Sequence, residues 1–329
     1  MKEVIIRLEN VGKTFRRYQR EEGIAGSIKS LIHRKYECKE AIVNCNLTIR
    51  EGEFVGLIGP NGAGKTTLIK MMTGIIRNST GTIRILGYTP WKLENDFKMQ
   101  YAVVMGQKSQ LLFELTTNDM LKLMKVIYEI SHEEFEQRKN ALAELFDVKH
   151  LLGVQVRTLS LGERMKMELL VALIHQPKVL FLDEPTIGLD VIGSKQMRLL
   201  LKKLNEEYGQ TILLTSHYME DIKELCKRSV VVHNGQVIFD GRTDQLFEEY
   251  QKVKEITMIF EKETLFAVPK EAEVLEKSAF KVVVKMPKEL VGNCIQEWIT
   301  TYHPVDLWIK EEEIEQTVRE IYRMGERLQ

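Results

Sequence analysis

The sequence has little cysteine, no excess of either charge and no long apolar run, and each shortage excludes a class of protein. Its four cysteines, Cys38, Cys45, Cys226 and Cys294, lack the close spacing of a metal site and indicate free thiols in a reducing cytoplasm. No apolar stretch reaches the ~20 residues that cross a bilayer. Glu3 and the strand-like alternation of the first residues argue against a signal peptide, so we expect a cytoplasmic protein.

The charge balance and the length describe a globular protein rather than a nucleic-acid binder. The 329 residues include 47 basic and 47 acidic side chains, so the formal net charge is zero. Because nucleic-acid-binding domains usually carry a basic surplus, we expect no nucleic-acid partner. A composition of 44% apolar and 29% charged residues is typical of soluble proteins, and the length suffices for two domains.

Positive charge is concentrated in residues 16–39, which carry seven basic and three acidic side chains. Within this segment, Ile24, Ile28, Leu31 and Ile32 fall at helical spacing and predict a short basic amphipathic helix. Two interpretations stay open. The helix lies near anionic head groups or a loop of a membrane protein, or it presents a solvated basic face.

The order of predicted elements in the first part of the chain is that of an α/β domain. Residues 4–15 alternate like an edge strand, and AIVNCNLTIREGEFVGLIG holds two strands joined at Glu51-Gly52. Residues 107–170 are mostly helical, and KVLFLDEP contains a strand that is apolar on both faces, as in a parallel sheet. SVVVHNGQVIFDG predicts a hairpin about Asn234-Gly235.

The pattern changes near residue 250. Strands are predicted at 255–260, 281–286 and 304–309, and helices at 288–301 and 312–326. We therefore expect an α/β domain over residues 1–249 and a small α+β domain over residues 250–329.

A complete phosphate-binding loop follows the strand in EFVGLI. The residues GPNGAGKTT match G-x-x-x-x-G-K-[ST] and open a helix, which is the context that makes this motif specific. Its glycines let backbone amides converge on phosphate oxygens, and the helix dipole adds to the attraction. The Lys65 ammonium can bind the β- and γ-phosphates, the Thr66 hydroxyl can ligate Mg²⁺, and Thr67 can form a hydrogen bond in the α-phosphate region. The candidate binding residues are Gly59, Pro60, Asn61, Gly62, Ala63, Gly64, Lys65, Thr66 and Thr67.

Two adjacent carboxylates complete a candidate hydrolytic site. The apolar strand in VLFLDEPT delivers Asp183 to the edge of a parallel sheet at which the P-loop also lies. There Asp183 can hold the shell of a Mg²⁺ ion, and Glu184 can polarise an attacking water. An acidic surface turn would be the better interpretation if the P-loop were missing.

The stretch TLSLGERMKMELL predicts the start of a helix. Ser160 is a good N-cap residue, and Glu163 three positions later completes a capping box. Helix N-termini also bind anions, so a second phosphate-binding element is an alternative to a simple cap.

The P-loop, LSLGE, LFLDEPTIGLD and TSH occur in the order and spacing of ABC transporter ATP-binding subunits, and residues 1–249 resemble that family. The phrases VMGQKSQL, LSLGERM and FLDEPTIGLDV resemble the branch of exporters, among them drug and viologen exporters, whose ATPase pairs with separately encoded permeases. The resemblance implies a P-loop NTPase (RecA-like) core with an antiparallel β subdomain and a helical subdomain.

The resemblance also implies roles for single residues. Phe15 matches the aromatic that stacks on adenine, although a core phenylalanine fits as well, and Tyr18 and Tyr36 are rivals. Gln107 matches the glutamine that senses Mg²⁺ and the attacking water.

Two further matches concern the dimer and the γ-phosphate. Asp190 matches the aspartate that reaches across the dimer, and it also suits a helix N-cap. His217 matches the histidine that contacts the γ-phosphate, whereas His175 has no motif and is expected to be structural.

The stretch LSLGE departs from the usual L-S-G-G-Q of the family at Leu161 and Glu163. In the family, the serine hydroxyl and the glycine amides bind the γ-phosphate of ATP held by the other subunit. The resemblance therefore implies this role for Ser160 and Gly162. A Glu163 carboxylate ~4 Å from phosphate would be repelled by about 1 kcal/mol in water. If the carboxylate folds back in the capping box, it points away from the phosphate.

The resemblance implies an assembly that is a homodimer, or a pair with another ATPase subunit, closed around two ATP·Mg²⁺. It would lie on the inner face of the cell membrane and power export through integral membrane permeases, with Glu184 and His217 promoting hydrolysis. The alternative is a soluble ABC-type ATPase without a transport partner. A P-loop kinase or GTPase would not need LSLGE, and a non-catalytic module would not need Glu184.

Overall fold

The computed structural model describes residues 2–18, 36–106, 108–216, 218–250 and 252–311. The chain divides into two compact units between Gly241 and Arg242, a little before the predicted domain boundary. The predicted helices at 24–32 and 312–326 lie outside the described residues, as do Gln107 and His217. None of the described helices is long and apolar enough to span a membrane.

The first unit is built on a six-stranded sheet with the order β5-β6-β7-β3-β8-β9. Its strands are β3 (Phe54–Ile58), β5 (Tyr101–Met105), β6 (Val179–Asp183), β7 (Thr211–Thr215), β8 (Arg228–His233) and β9 (Gln236–Arg242). The strands from β5 to β8 in this order pair in parallel, so the loops that follow them emerge at one edge. The predicted hairpin is confirmed, since Asn234 and Gly235 both have positive φ between β8 and β9, as a tight two-residue turn requires.

An antiparallel three-stranded sheet, with the order β2-β1-β4, belongs to the same unit. Its strands are β1 (Val4–Tyr18), β2 (Tyr36–Arg50) and β4 (Thr80–Ile85). The prediction of β1 as an edge strand is wrong, because β1 pairs with β2 on one side and with β4 on the other. Alternation reports which face is buried and says nothing of how many neighbours a strand has. The two sheets share one apolar core that includes Ile6, Leu8, Leu57, Leu68, Ile83 and Phe181.

Seven helices are described in the first unit: α1 (Lys65–Met72), α2 (Asn95–Lys98), α3 (Thr117–Ile127), α4 (His132–Leu145), α5 (Leu161–Leu173), α6 (Val191–Glu206) and α7 (Met219–Leu225). The expected helical segment is confirmed by α3, α4 and α5. Each of these three begins at a hydroxyl N-cap, respectively Thr116, Ser131 and Ser160, whose side chain accepts a backbone N–H of the first turn.

The second unit has a four-stranded antiparallel sheet with the order β11-β12-β10-β13. Its elements are α8 (Thr243–Tyr250), β10 (Val253–Ile259), β11 (Glu273–Lys277), β12 (Lys281–Pro287), α9 (Lys288–Tyr302) and β13 (Asp306–Glu311). Its core contains Ile256, Met258, Val282, Val284 and Trp298. The prediction omits β11 because all five of its residues, EVLEK, are exposed and show no apolar alternation.

Candidate functional site

The phosphate-binding loop is shaped by what surrounds it. The strand β3 is buried throughout and ends immediately before Gly59. At the other end of the loop, Gly64 caps α1 with φ 114°. A Cβ atom on Gly64 would lie 2.5 Å from Cδ1 of Ile42 and 2.8 Å from the carbonyl of Ala41. Glycine is therefore required by both conformation and space, and the loop closes tightly onto β2.

Lys65 is held by its own loop. Its side chain is buried, and Nζ donates to the carbonyls of Gly59 at 2.6 Å and Pro60 at 3.1 Å. The pKa of Lys65 is lowered, because the effect of burial exceeds that of the nearby carboxylates of Glu184 and Asp183, which raise it. The ammonium therefore stands beside two negative groups, at the position the motif predicts for binding phosphate.

Thr66 and Asp183 meet as predicted. The Thr66 hydroxyl donates to Oδ2 of Asp183 at 3.1 Å, and the Thr215 hydroxyl donates to Oδ1 at 2.5 Å. Carboxylate and hydroxyl oxygens are the hard ligands that Mg²⁺ binds, so this pair fits that ion. No motif predicts Thr215. The signal that could have found it is its place at the end of β7, which pairs with β6 so that Thr215 lies opposite Asp183.

Glu184 sits on a turn with an unusual backbone. Its φ is 56°, in the left-handed region, and its N–H donates to the carbonyl of Thr215 at 3.0 Å. Across from it, the N–H of Gly106 donates to the carbonyl of Asp183 at 2.8 Å. A Cβ atom on Gly106 would lie 2.0 Å from the Glu184 carbonyl oxygen. Gly106, which no motif predicts, thus lets β5 approach the backbone that carries the two carboxylates.

The capping box predicted at the start of α5 is confirmed. Oε2 of Glu163 accepts from the Ser160 N–H and from the Ser160 hydroxyl, each at 2.8 Å, and the Glu163 N–H donates to the Ser160 hydroxyl oxygen at 3.3 Å. The hydrogen bonds from Ser160 lower the pKa of Glu163, so the carboxylate is ionised at neutral pH. The N-terminus of α5 therefore already binds an anionic group, the Glu163 carboxylate.

A second helix start faces the first. Asp190 is the N-cap of α6, and its side chain accepts from the N–H of Gly193 at 2.6 Å, so the alternative N-cap assignment is confirmed. A cavity of about 370 Å³ between the two helix starts is lined by Ser160, Gly162, Glu163, Lys166, Asp190 and neighbouring residues. Among the described residues that line it, none belongs to the P-loop.

The proposed adenine contact is on the surface. Phe15 lies near the end of β1 with 38% of its surface exposed, and Nζ of Lys13 lies 5.0 Å from the centre of its ring. The Phe15 ring is therefore not buried in the core. Its rivals Tyr18 and Tyr36 pair with each other in the β1–β2 ladder.

His175 is structural, as expected. Its ring stacks on Tyr128 with centroids 3.9 Å apart, and Nε2 lies 3.2 Å from the carbonyl of Tyr101. Nδ1 is buried, and none of the described residues forms a hydrogen bond with it. Burial lowers the pKa of His175 to about 4.

These features define a P-loop NTPase. A G-x-x-x-x-G-K-T loop joins β3 to α1 and carries the lysine for phosphate, and Asp183 ends β6, which is separated from β3 by one strand of the parallel sheet. Residues 42–187 match the family model described as ABC transporter. The chain is 32% identical over 231 residues to the ABC transporter ATP-binding protein NatA of Bacillus subtilis, covering 69% of this chain and 93% of that protein. The protein belongs to the ATP-binding subunits of ABC transporters and is an ABC ATPase.

Other relatives and structures agree. The linearmycin resistance ATP-binding protein LnrL of Bacillus subtilis is 32% identical over 214 residues, covering 65% of this chain and 68% of that protein. A solved ATP-binding subunit of an ABC transporter matches with a TM-score of 0.60 and 26% identity over 75% of this chain and 93% of that one. The dimeric post-hydrolysis structure of the cassette MJ0796 with ADP and Pi matches with a TM-score of 0.58 and 25% identity, covering 72% and 98%. The predicted fold class, an α/β P-loop NTPase, is confirmed.

Proposed function

We propose that two copies of this chain close around two ATP·Mg²⁺ and drive export through integral membrane permeases on the inner face of the cell membrane. Residues 1–249 form the ATP-binding domain, and residues 250–329 form an accessory domain. The observation that carries the proposal is the separation of two phosphate-binding elements. The P-loop holds Lys65, while Ser160 lies in a cavity whose described lining contains no P-loop residue. A single chain then supplies half of each site, and a second copy supplies the other half.

The surface beside this cavity favours a dimer. Val191 and Ile192, which follow Asp190, are 84% and 69% exposed. Apolar side chains this exposed beside a functional cavity are typical of an interaction surface. MJ0796, a structural relative, is dimeric by its description. Export is favoured by the description of LnrL as a linearmycin resistance protein.

In the proposed reaction, the P-loop amides and Lys65 bind the phosphates, and Phe15 stacks on adenine. Thr66, Gln107 and Asp183 would hold Mg²⁺, which would supply charge neutralisation of the phosphates. Glu184 takes a proton from the attacking water, and His217 stabilises the γ-phosphate. From the other copy, Ser160 and Gly162 bind the γ-phosphate, and Asp190 reaches across the interface.

The replacement of Glu184 by glutamine tests this reaction. The amide keeps the shape of the side chain but cannot accept the proton, so steady-state ATPase activity should fall at least about 100-fold. ATP affinity should be retained. Sedimentation should show an ATP-dependent dimer of this variant that EDTA abolishes. Normal turnover by the variant would refute the role of Glu184, and a monomer at saturating ATP would refute the shared site.

The membrane partner needs a separate experiment. Affinity purification of the chain from gently solubilised membranes should recover integral membrane proteins in stoichiometric amount. Recovery of the chain alone would favour an ABC-type ATPase without a transport partner.

A further inference from the structure

Asp221 is a buried carboxylate on α7 that the reaction above does not use. Its exposed surface is 1% of the maximum. Its Oδ2 accepts from the Thr186 hydroxyl at 2.5 Å and from the Ser216 hydroxyl at 2.9 Å, and its Oδ1 accepts from NH1 of Arg198 at 3.1 Å. A carboxylate is an acceptor only, so it can receive all three donors at once without a mismatched proton.

The two hydroxyl donors come from segments that carry proposed catalytic residues. Thr186 lies two residues after Glu184, in the turn that leads to Asp190 and α6. Ser216 directly follows β7 and directly precedes position 217. The Ser216 hydroxyl oxygen also accepts from the N–H of Tyr218 at 3.0 Å, so the backbone on both sides of position 217 is tied to Asp221.

The third donor neutralises the buried charge. Arg198 projects from α6, is 9% exposed, and also donates from Nε to Glu224 at 2.7 Å. Hydrogen bonds to an ionised acceptor are about twice as strong as neutral ones. The network is therefore stiff, and it fixes three segments to one another: the turn after Glu184, the end of β7 and the middle of α6.

We propose that Asp221 is a positioning residue for ATP hydrolysis. By accepting from Thr186 and Ser216 on one oxygen, it sets the place of the turn that carries Glu184 relative to the residues that flank position 217. Because Asp221 is 1% exposed, we assign it no direct contact with the nucleotide or the attacking water. This inference rests on the proposed hydrolytic roles of Glu184 and His217.

The test compares matched variants of Thr186 in the full chain. Thr186→Val keeps the shape and loses the hydroxyl, whereas Thr186→Ser keeps the hydroxyl. Misplacement of a reacting group by about 1 Å can lower a rate about 100-fold. We expect Thr186→Val to lower kcat between about 10- and 100-fold while the ATP affinity and the KM stay within about twofold. Thr186→Ser should stay within about threefold of the parent kcat, because its hydroxyl still reaches Asp221.

Two further variants distinguish a positioning role of Asp221 from a general loss of structure. Glu220→Gln changes an exposed carboxylate that lies 3.8 Å from Arg198, and it should leave kcat unchanged. Asp221→Asn should lower kcat as Thr186→Val does, and the double variant should lose less than the product of the two losses, since both act through one contact.

The proposal is overturned if Thr186→Val keeps the parent kcat, if Thr186→Ser loses as much as Thr186→Val, if ATP affinity falls in step with kcat, or if the two losses multiply. The role of Glu184 fails independently, through turnover by the Glu184→Gln variant.

Discussion

The carboxylate of Glu163 receives both the N–H and the hydroxyl proton of Ser160, each at 2.8 Å. Because a serine hydroxyl has a single proton, this contact uses the donor that the family resemblance assigns to the γ-phosphate of a second subunit. In the proposed dimer, the γ-phosphate would therefore compete with the Glu163 carboxylate, which already lies at the start of α5.

The replacement of Glu163 by glutamine should strengthen the ATP-bound dimer. Glutamine keeps an acceptor oxygen for the cap and removes the negative charge. Repulsion of about 1 kcal/mol at each of two sites, about 2 kcal/mol in total, corresponds to about a 30-fold lower dimer dissociation constant, measured in a Glu184→Gln background. The difference should shrink in high salt, because salt screens exposed charges.

A matched control for this change lies at the start of α4. There the Ser131 hydroxyl donates to Oε2 of Glu134 at 2.9 Å, which matches the hydroxyl–carboxylate contact of Ser160 and Glu163 but lies away from the cavity. Glu134→Gln should leave the dimer dissociation constant unaltered. Equal dissociation constants for Glu163→Gln and its parent would show that the Glu163 charge does not oppose closure.

The replacement of Gly106 by alanine should impair hydrolysis. Its Cβ would lie 2.0 Å from the carbonyl oxygen of Glu184, so the backbone must move. Overpacking of this kind destabilises by about 1–3 kcal/mol, and the shift falls on the proposed base. We expect kcat to fall at least about tenfold in steady-state ATPase assays. Gly153→Ala, whose Cβ would meet no atom of the described residues within 4 Å, should behave like the parent. Similar kcat values for the two variants would show that Glu184 tolerates the shift.

Stability should decrease as the pH falls from 7 to 4 because of His175. Its pKa is lowered from 6.5 to about 4 by burial, so the unfolded chain binds a proton in this range and the folded chain does not. The contribution is fully present above pH 6.5, is lost as the pH falls toward 4, and amounts to about 3 kcal/mol. Urea unfolding of a His175→Phe variant, which keeps an aromatic ring against Tyr128, should show a weaker pH dependence over this range. An unchanged pH dependence would mean that His175 titrates normally in the folded chain.

The thiols should differ in reactivity. All four cysteines are free, as predicted, and Cys38 is exposed while Cys45 and Cys226 are buried. Burial raises the pKa of Cys45 to about 12 and that of Cys226 well above its usual value. At pH 8 we expect a thiol reagent to modify Cys38 rapidly, and Cys45 and Cys226 only after unfolding in urea. Rapid modification of either buried thiol in the native protein would contradict this assignment.

The strand-loop-helix arrangement of the P-loop was predictable because its residues are contiguous. The meeting of Thr66 with Asp183 was predictable as well, since parallel strands end at one edge of the sheet. Thr215, Gly106 and Asp221 were not predictable, because their roles depend on which strands are neighbours, and hydrophobic alternation does not report neighbours. The same limit explains why β1 was taken for an edge strand. The strand β11 was missed because its residues are all exposed.

The ammonium of Lys65 has three protons, and two of them are already directed at the carbonyls of Gly59 and Pro60. The Lys65 ammonium thus holds the loop in its curved shape through bonds within the loop itself. Arginine could not replace Lys65, because the loop curves around a compact ammonium and a planar guanidinium is too large for that space. A nucleotide therefore meets a receptor whose shape is already set, so little of its binding free energy is spent on ordering the loop.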